Sequence, residues 1–279
     1  MSVFLDVVSN YGAAIAIAAA FVLAIVLFFL SRKIKKHRIV FFSALRPWAA
    51  TFAGVGLAIA MISAALDRRT FLSSLTAPDT GLGYAAVVLE LLAGLALFLG
   101  LFARAGAIIA ILLAILGIFF DWPRTPFLLP FLGAAFFVLV WGRGRLSLGS
   151  VWGRIFFAMD SEHARPIATA VMRILIAIFV LYLTLANVFP WIKDYPPAPD
   201  LWPGFLAAIP SNIKFPALLF LEALLGFLLF FGVFLRPIAI LLGFVFCVMA
   251  FTAGGFSGLA YGLTVPGALI ALFIVGRDD

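Results

Sequence analysis

Residues 89–108 read LELLAGLALFLGLFARAGAI, and residues 221–240 read LEALLGFLLFFGVFLRPIAI. At a constant shift of 132 positions they share Leu89/Leu221, Glu90/Glu222, Leu92/Leu224, Gly94/Gly226, Leu97/Leu229, Phe98/Phe230, Gly100/Gly232, Phe102/Phe234, Arg104/Arg236, Ala107/Ala239 and Ile108/Ile240. Apolar composition alone would bring some leucines and phenylalanines into register. It would not align an acid, two glycines and an arginine at once. The chain therefore carries an internal repeat, the feature that most constrains a fold when it is present.

Working outward, the whole chain of 279 residues is 66% hydrophobic and 11% charged, with a mean hydropathy of +1.24. A soluble domain carries about 45–50% apolar and about 25% charged residues. There is too little polar surface here to keep a globule of this size in water. That excludes a soluble enzyme, a disordered chain and a disulfide scaffold, and leaves an integral membrane protein. The net charge of +7 serves topology rather than nucleic-acid binding. The single cysteine, Cys247, lies in an apolar run, so there is neither a disulfide framework nor a CxxC pair.

A spanning helix needs about 20 apolar residues. By that measure nine spans are expected, near 11–30, 47–66, 82–103, 105–120, 127–141, 168–190, 216–235, 237–253 and 259–275. The runs do not alternate as barrel strands would, so the fold class is all-α. The first span has Asp6 before its apolar core and Arg32, Lys33, Lys35, Lys36 and Arg38 after it. This order, opposite to that of a signal peptide, predicts an uncleaved anchor with its N-terminus outside.

Alternate loops agree. Fourteen basic residues share the side of that cluster, including Arg46, Arg104, Arg143, Arg165, Arg173 and Arg236, and five lie opposite: Arg68, Arg69, Arg124, Lys193 and Lys214. The positive-inside rule puts the larger set, and the C-terminus, in the cytoplasm. Trp48, Trp122, Trp141, Trp191 and Trp202 suit an interfacial aromatic belt.

Each repeat opens on a basic residue entering a helix, Arg46 or Arg173, and contains four helices. An even number of crossings returns the chain to its starting side, so both copies have the same orientation about an axis along the membrane normal. The expected organisation is an anchor with its basic loop (1–40), a first four-helix unit (41–150) and a second (151–279).

Within each unit Glu90, Gly94, Leu97, Leu101 and Arg104, or Glu222, Gly226, Leu229, Val233 and Arg236, fall on one face of a continuous helix. Glu and Arg are then roughly 21 Å apart along the axis and need different partners. Arg104 and Arg236 are expected at the cytoplasmic helix end, where a cation complements the C-terminal dipole and reaches lipid phosphate. Gly94, Gly100, Gly226 and Gly232 form the structural part of the motif, with Gly94 and Gly226 admitting close helix contact. Glu90 and Glu222 lie about 10 Å into the core from the outer end. A carboxyl at that depth is a functional-site hypothesis by default, the alternative being an acid that only ties helices together. The expected partners are Arg68 or Arg69 for Glu90, and Lys193 for Glu222. The spans 105–120 and 127–141 are short, so their outer connection is expected to dip inward and bound a pocket with Glu90, Asp121, Arg124 and Arg68.

The pattern E-x-x-x-G-x-x-x-x-x-G-x-x-x-R, on a helix preceded by an Arg-led helix and followed by two more, resembles the DoxX-like four-helix membrane family. Two fused units resemble its DoxD-type members, associated with thiosulfate:quinone oxidoreductase. The resemblance covers approximately 41–279. It implies a bacterial or archaeal plasma-membrane protein linked to quinone or sulfur redox chemistry, often a subunit of a complex. The residues constrain that inheritance. Both histidines, His37 and His163, fall in cytoplasmic loops, one cysteine cannot ligate an iron–sulfur cluster, and no cluster has metal-ligand spacing. The electron carrier would be a diffusible quinone or belong to a partner protein. Three functions stay open at this point. They are a quinone-linked redox subunit with Glu90 or Glu222 as catalytic proton acceptor, a non-catalytic subunit or assembly factor docking a partner, and a small-solute or ion transporter.

Overall fold

The computed structural model describes residues 20–26, 41–66, 81–100, 102–120, 125–142, 164–188, 211–252 and 263–276. Among them there are nine helical segments and no strand. They are α1 (20–26), α2 (Phe41–Leu66), α3 (Gly81–Phe98), α4 (Ala103–Phe120), α5 (Thr125–Trp141), α6 (Ala164–Val188), α7 (Ser211–Phe231), α8 (Leu235–Thr252) and α9 (Thr264–Val275). Within α2 and α6, Leu45–Leu66 and Ala164–Leu185 are long and apolar enough to cross a membrane, and the apolar stretches of α3 to α5 and α7 to α9 are shorter.

The distribution of side chains inverts that of a soluble bundle. The interior is rich in small residues, with Ala49, Ala53, Ala58, Ala107, Ala114, Ala134, Ala135, Ala168 and Ala177 all inaccessible, set among larger ones such as Leu57, Met61, Phe137 and Leu269. The outside carries bulky apolar ones, among them Leu92, Phe98, Leu112, Phe119, Ile167, Ile240 and Phe244. In α3 the division runs along the helix. Glu90, Ala93, Gly94 and Leu97 face inward, while Tyr84, Val88, Leu89, Leu92 and Leu95 face out. No described side chain of α5 is exposed, and in α9 only Ile270 is. These two helices form the centre.

The repeat is visible in the backbone. The α3–α4 turn has positive φ at Gly100 (67°) and Phe102 (51°), and the α7–α8 turn has it at Gly232 (76°) and Phe234 (48°). The hydrogen bonds match too. Gly100 N–H donates to Leu97 O and Gly232 N–H to Leu229 O, both at 3.2 Å. Gly106 N–H donates to Phe102 O at 3.0 Å and Ile238 N–H to Phe234 O at 3.2 Å.

This turn corrects the continuous-helix expectation. The span expected at 82–103 ends at Phe98, and a new helix starts at Ala103. Arg104 and Arg236 therefore occupy the first turn of the following helix, not the last turn of the helix that bears the glutamate. Two left-handed residues separated by one other reverse the chain in a few residues, which an uninterrupted apolar run conceals.

A second correction concerns how the units open. The Arg46-Pro47 and Arg165-Pro166 pairs lie 119 positions apart (46 to 165). At that shift the buried faces of α2 and α6 coincide: Ala49/Ala168, Ala53/Met172, Leu57/Ile176, Ala58/Ala177, Ala60/Phe179, Met61/Val180 and Ala64/Leu183. Arg46 thus corresponds to Arg165, and Arg173 falls opposite Gly54. The connection from first to second helix is longer in the second half, which is why the shift changes from 119 to 132.

The halves are joined by exchange. The two most extensive helix contacts are α2 with α9 and α5 with α6, so the last helix of each half packs on the first helix of the other. At the first of these, glycine meets glycine. A Cβ on Gly56 would lie 2.6 Å from Leu263 O and 3.2 Å from Gly267 Cα, and one on Gly267 would lie 2.7 Å from Phe52 O. Thr264 Oγ1 donates to Gly56 O at 3.5 Å. At the second, a Cβ on Gly133 would lie 3.2 Å from Met172 Cα. The register of these contacts makes α9 antiparallel to α2 and α5 antiparallel to α6. Gly276 against Leu235 makes α9 antiparallel to α8, and Gly226 and Gly232 against residues 181 and 173 make α7 antiparallel to α6. With the reversal at the α7–α8 turn, α6 runs in the same direction as α2.

Gly56→Ala places a methyl on backbone that cannot give way, whereas a Cβ on Gly54 meets only Val138 Cγ2 at 3.8 Å. Overpacking of this kind costs about 1–3 kcal/mol. Thermal unfolding in detergent is expected to show Gly56→Ala destabilised by that amount and Gly54→Ala close to wild type.

Candidate functional site

Both glutamates lie in mid-helix. Glu90 is the tenth residue of α3 and Glu222 the twelfth of α7, about 14 and 17 Å from the helix starts, deeper than the sequence alone placed them. They are the only carboxylate side chains among the described residues.

Small residues set their surroundings. A Cβ on Gly94 would lie 2.9 Å from Ile62 Cγ1 and 3.2 Å from Ala58 O, and one on Gly226 would lie 2.8 Å from Leu181 Cδ2. Ile62 and Leu181 are equivalent at the shift of 119, so both halves pack their second helix on their first in the same way. The close contact expected of Gly94 and Gly226 is what the structure has. One turn from each glycine, the antiparallel register brings Glu90 level with residues 62–66 and Glu222 level with residues 184 and 185. Each level holds a buried hydroxyl: Ser63 is 4% exposed and Thr184 is 1% exposed. The Thr184 hydroxyl donates to Val180 O at 3.1 Å.

The two acids differ in access. Glu90 is 1% exposed, whereas Glu222 is half-buried. A carboxyl with no route to water or lipid can hold helices together, but it cannot meet a ligand without a structural opening. Glu222 needs none. The repeat thus contains one fully buried glutamate and one half-buried glutamate, a distinction invisible in two identical motifs.

Arg68, Asp121, Arg124 and Lys193, expected as partners or pocket walls, lie outside the described residues. So do the 121–124 connection and Arg69. Among the described residues no group of His, Cys, Asp and Glu could hold a metal ion. Cys247 is half-buried and free.

The arginines form a separate group. Arg46, Arg104, Arg165, Arg173 and Arg236 all fall toward the end of the bundle where α2, α4, α6 and α8 begin and α3, α5, α7 and α9 finish. Arg104 lies against the residue that closes α5: a Cβ on Gly142 would be 3.0 Å from Arg104 Nη2. The expected match between a cation and a helix C-terminus is therefore met across helices, by α5, rather than within one. Arg165 sits over the ring of Trp141 at 5.5 Å, and Phe137 stacks on that ring at 5.2 Å. Arg173 takes the same place at the end of α7, its guanidinium against Gly232 where a Cβ would have to stand. Arg165 and Trp141 had a readable signal, a basic-proline pair and an aromatic at a span end. Their meeting did not, because it joins α5 to α6 across the two halves.

Gly232→Ala forces a side chain into a left-handed conformation, at a cost of roughly 1–2 kcal/mol, and also onto the Arg173 guanidinium. Removing that guanidinium in Gly232→Ala/Arg173→Ala is expected to recover the steric part, so a double-mutant cycle read by thermal unfolding gives a non-additive result. Strict additivity would show that Arg173 does not fill the space. The site rests on this chain's own residues: no family model, no curated protein and no solved structure matches it.

Proposed function

We propose that this chain is a polytopic plasma-membrane protein of DoxX-like type, an anchor followed by two four-helix units inserted the same way up. On this reading nine spans place the N-terminus outside and the C-terminus in the cytoplasm. Three features support it. The outward faces are apolar over most of their length, a surface that water does not tolerate on this scale. The two first helices run in the same direction. The described arginines gather toward one end, as the positive-inside rule requires of the cytoplasmic side.

Within that frame the chain serves as the membrane subunit of a quinone-linked redox complex, with Glu222 beside the quinone headgroup. The observation that carries this is that Glu222, at mid-helix, is half-buried, while its counterpart Glu90 is sealed. A quinone reaches such a depth through lipid by its own apolar tail. Its conversion to quinol takes up two electrons and two protons, and an acid at the headgroup exchanges one of those protons with the ring oxygen. The electrons come from a partner protein, since one cysteine and two histidines do not make a redox centre in this chain.

Purified in mild detergent, the protein is expected to retain quinone detectable by mass spectrometry and to lose it in Glu222→Gln. In membranes, Glu222→Gln is expected to slow quinone reduction by about 10²-fold, while Glu90→Gln leaves the rate near wild type. Unchanged rates in Glu222→Gln and in the double variant would remove the catalytic role, and solute uptake that depends on Glu222 would replace it with a transporter.

A further inference from the structure

We propose that the outward stripe Val88, Leu92, Leu95 and Leu99 on α3 is the docking surface for one transmembrane helix of a partner protein, a helix with small residues four positions apart. The inference rests on the membrane reading above. It is independent of the quinone, since neither glutamate takes part.

The four residues follow a 4-3-4 spacing and so share one face of the helix. Leu99, one residue past the end of α3, continues that face, its N–H donating to Leu95 O at 2.9 Å. All four are exposed, by 40 to 56%. At the shift of 132 their counterparts on α7 are Phe220, Leu224, Phe227 and Phe231, and every one of these is half-buried. The same face is open in the first half and partly closed in the second.

At Phe227 and Phe231 the cover is α1. Phe21 meets their rings at centroid distances of 5.0 and 6.2 Å, and their counterparts in the first half are Leu95 and Leu99. Ala20 and Ala24, one turn apart on α1, are wholly inaccessible, and Ala24 belongs to the same core as Leu225, Leu228 and Leu229 of α7. The anchor thus serves one half, while the other half keeps the equivalent surface.

The way α1 sits also shows what fits there. In a bilayer leucine gains little by leaving lipid for leucine, and helices associate where small residues allow close packing. Ala20 and Ala24 meet that condition against the bulky side chains of α7. A second copy docking α3 on α3 would set one bulky stripe against another and hold the helices apart. The complementary occupant is therefore a span of another protein with Ala, Gly or Ser at four-residue spacing.

The test uses the full chain in nanodiscs of phosphatidylglycerol and phosphatidylcholine, with a synthetic peptide of residues 11–30 as the probe helix. The peptide carries a photoreactive group in place of Phe21 and an isotope label that separates it from the chain's own α1. Irradiation is expected to join it to residues 88–99, located by mass spectrometry. Ala20→Leu/Ala24→Leu in the peptide should lower that yield about tenfold, the scale of overpacking at a helix contact. Leu92→Trp/Leu95→Trp in the chain should lower it similarly, whereas Leu112→Trp on the outer face of α4 leaves it unchanged. Attachment confined to residues 220–231, where the peptide merely replaces α1, or no attachment at all, would overturn the proposal. So would chain-to-chain products from a photoreactive group at Leu95 without peptide, which would make this face a contact between two copies. In native membranes the same group at Leu95 is expected to capture an apolar span with small residues four apart. Capture of segments lacking that pattern, or of lipid alone, counts against the proposal. Entry of the chain into the nanodisc reports separately on the membrane reading.

Discussion

The backbone of α2 touches the backbone of α9 at Gly56 and Gly267, and the arrangement of the remaining helices depends on that approach and its counterpart at Gly133. In the bilayer we propose for this chain, burying leucine against leucine gains little, because lipid tails already offer the same contact. Cohesion then comes from helices close enough for dense van der Waals packing. Alanine and glycine permit that approach, which is why they recur at the helix contacts. The same rule sets the α2–α3 contact at Gly94 and the α6–α7 contact at Gly226, and through them the placement of both glutamates.

Much of this was legible in the residues. Uninterrupted apolar runs gave helices, the duplicated motif gave two equivalent halves, and Gly94 and Gly226 were read correctly as points of close contact. The helix break at Gly100 and Gly232 was not legible, because a left-handed turn made of Gly and Phe leaves the hydropathy pattern unbroken. Arg173 was matched to Arg46 since both enter helices. Only the burial pattern shows that the first helices align through Arg-Pro, with Arg173 replacing a glycine. The unequal access of Glu90 and Glu222 lay beyond a motif comparison, being set by neighbours rather than by the motif.

Duplication leaves the two copies of the motif free to differ in their surroundings. Where a single gene product pairs with itself, every residue serves both positions. Fusion releases that restriction. Glu90 is buried while Glu222 is half-buried, and Trp141, which meets Phe137 and Arg165, stands where the other half has Val275. Even the N-terminal helix respects this asymmetry: Phe21 of α1 packs on Phe227 and Phe231 of the second half, with ring centroids 5.0 and 6.2 Å away.

The exchange of terminal helices also orders assembly in time. Thr264 and Gly56 meet across 208 residues of sequence, so α2 leaves the ribosome long before the helix that covers it exists. Its glycine- and alanine-rich face stays uncovered until α9 has been made. Closure of the α2–α9 contact therefore follows the synthesis of every helix between them.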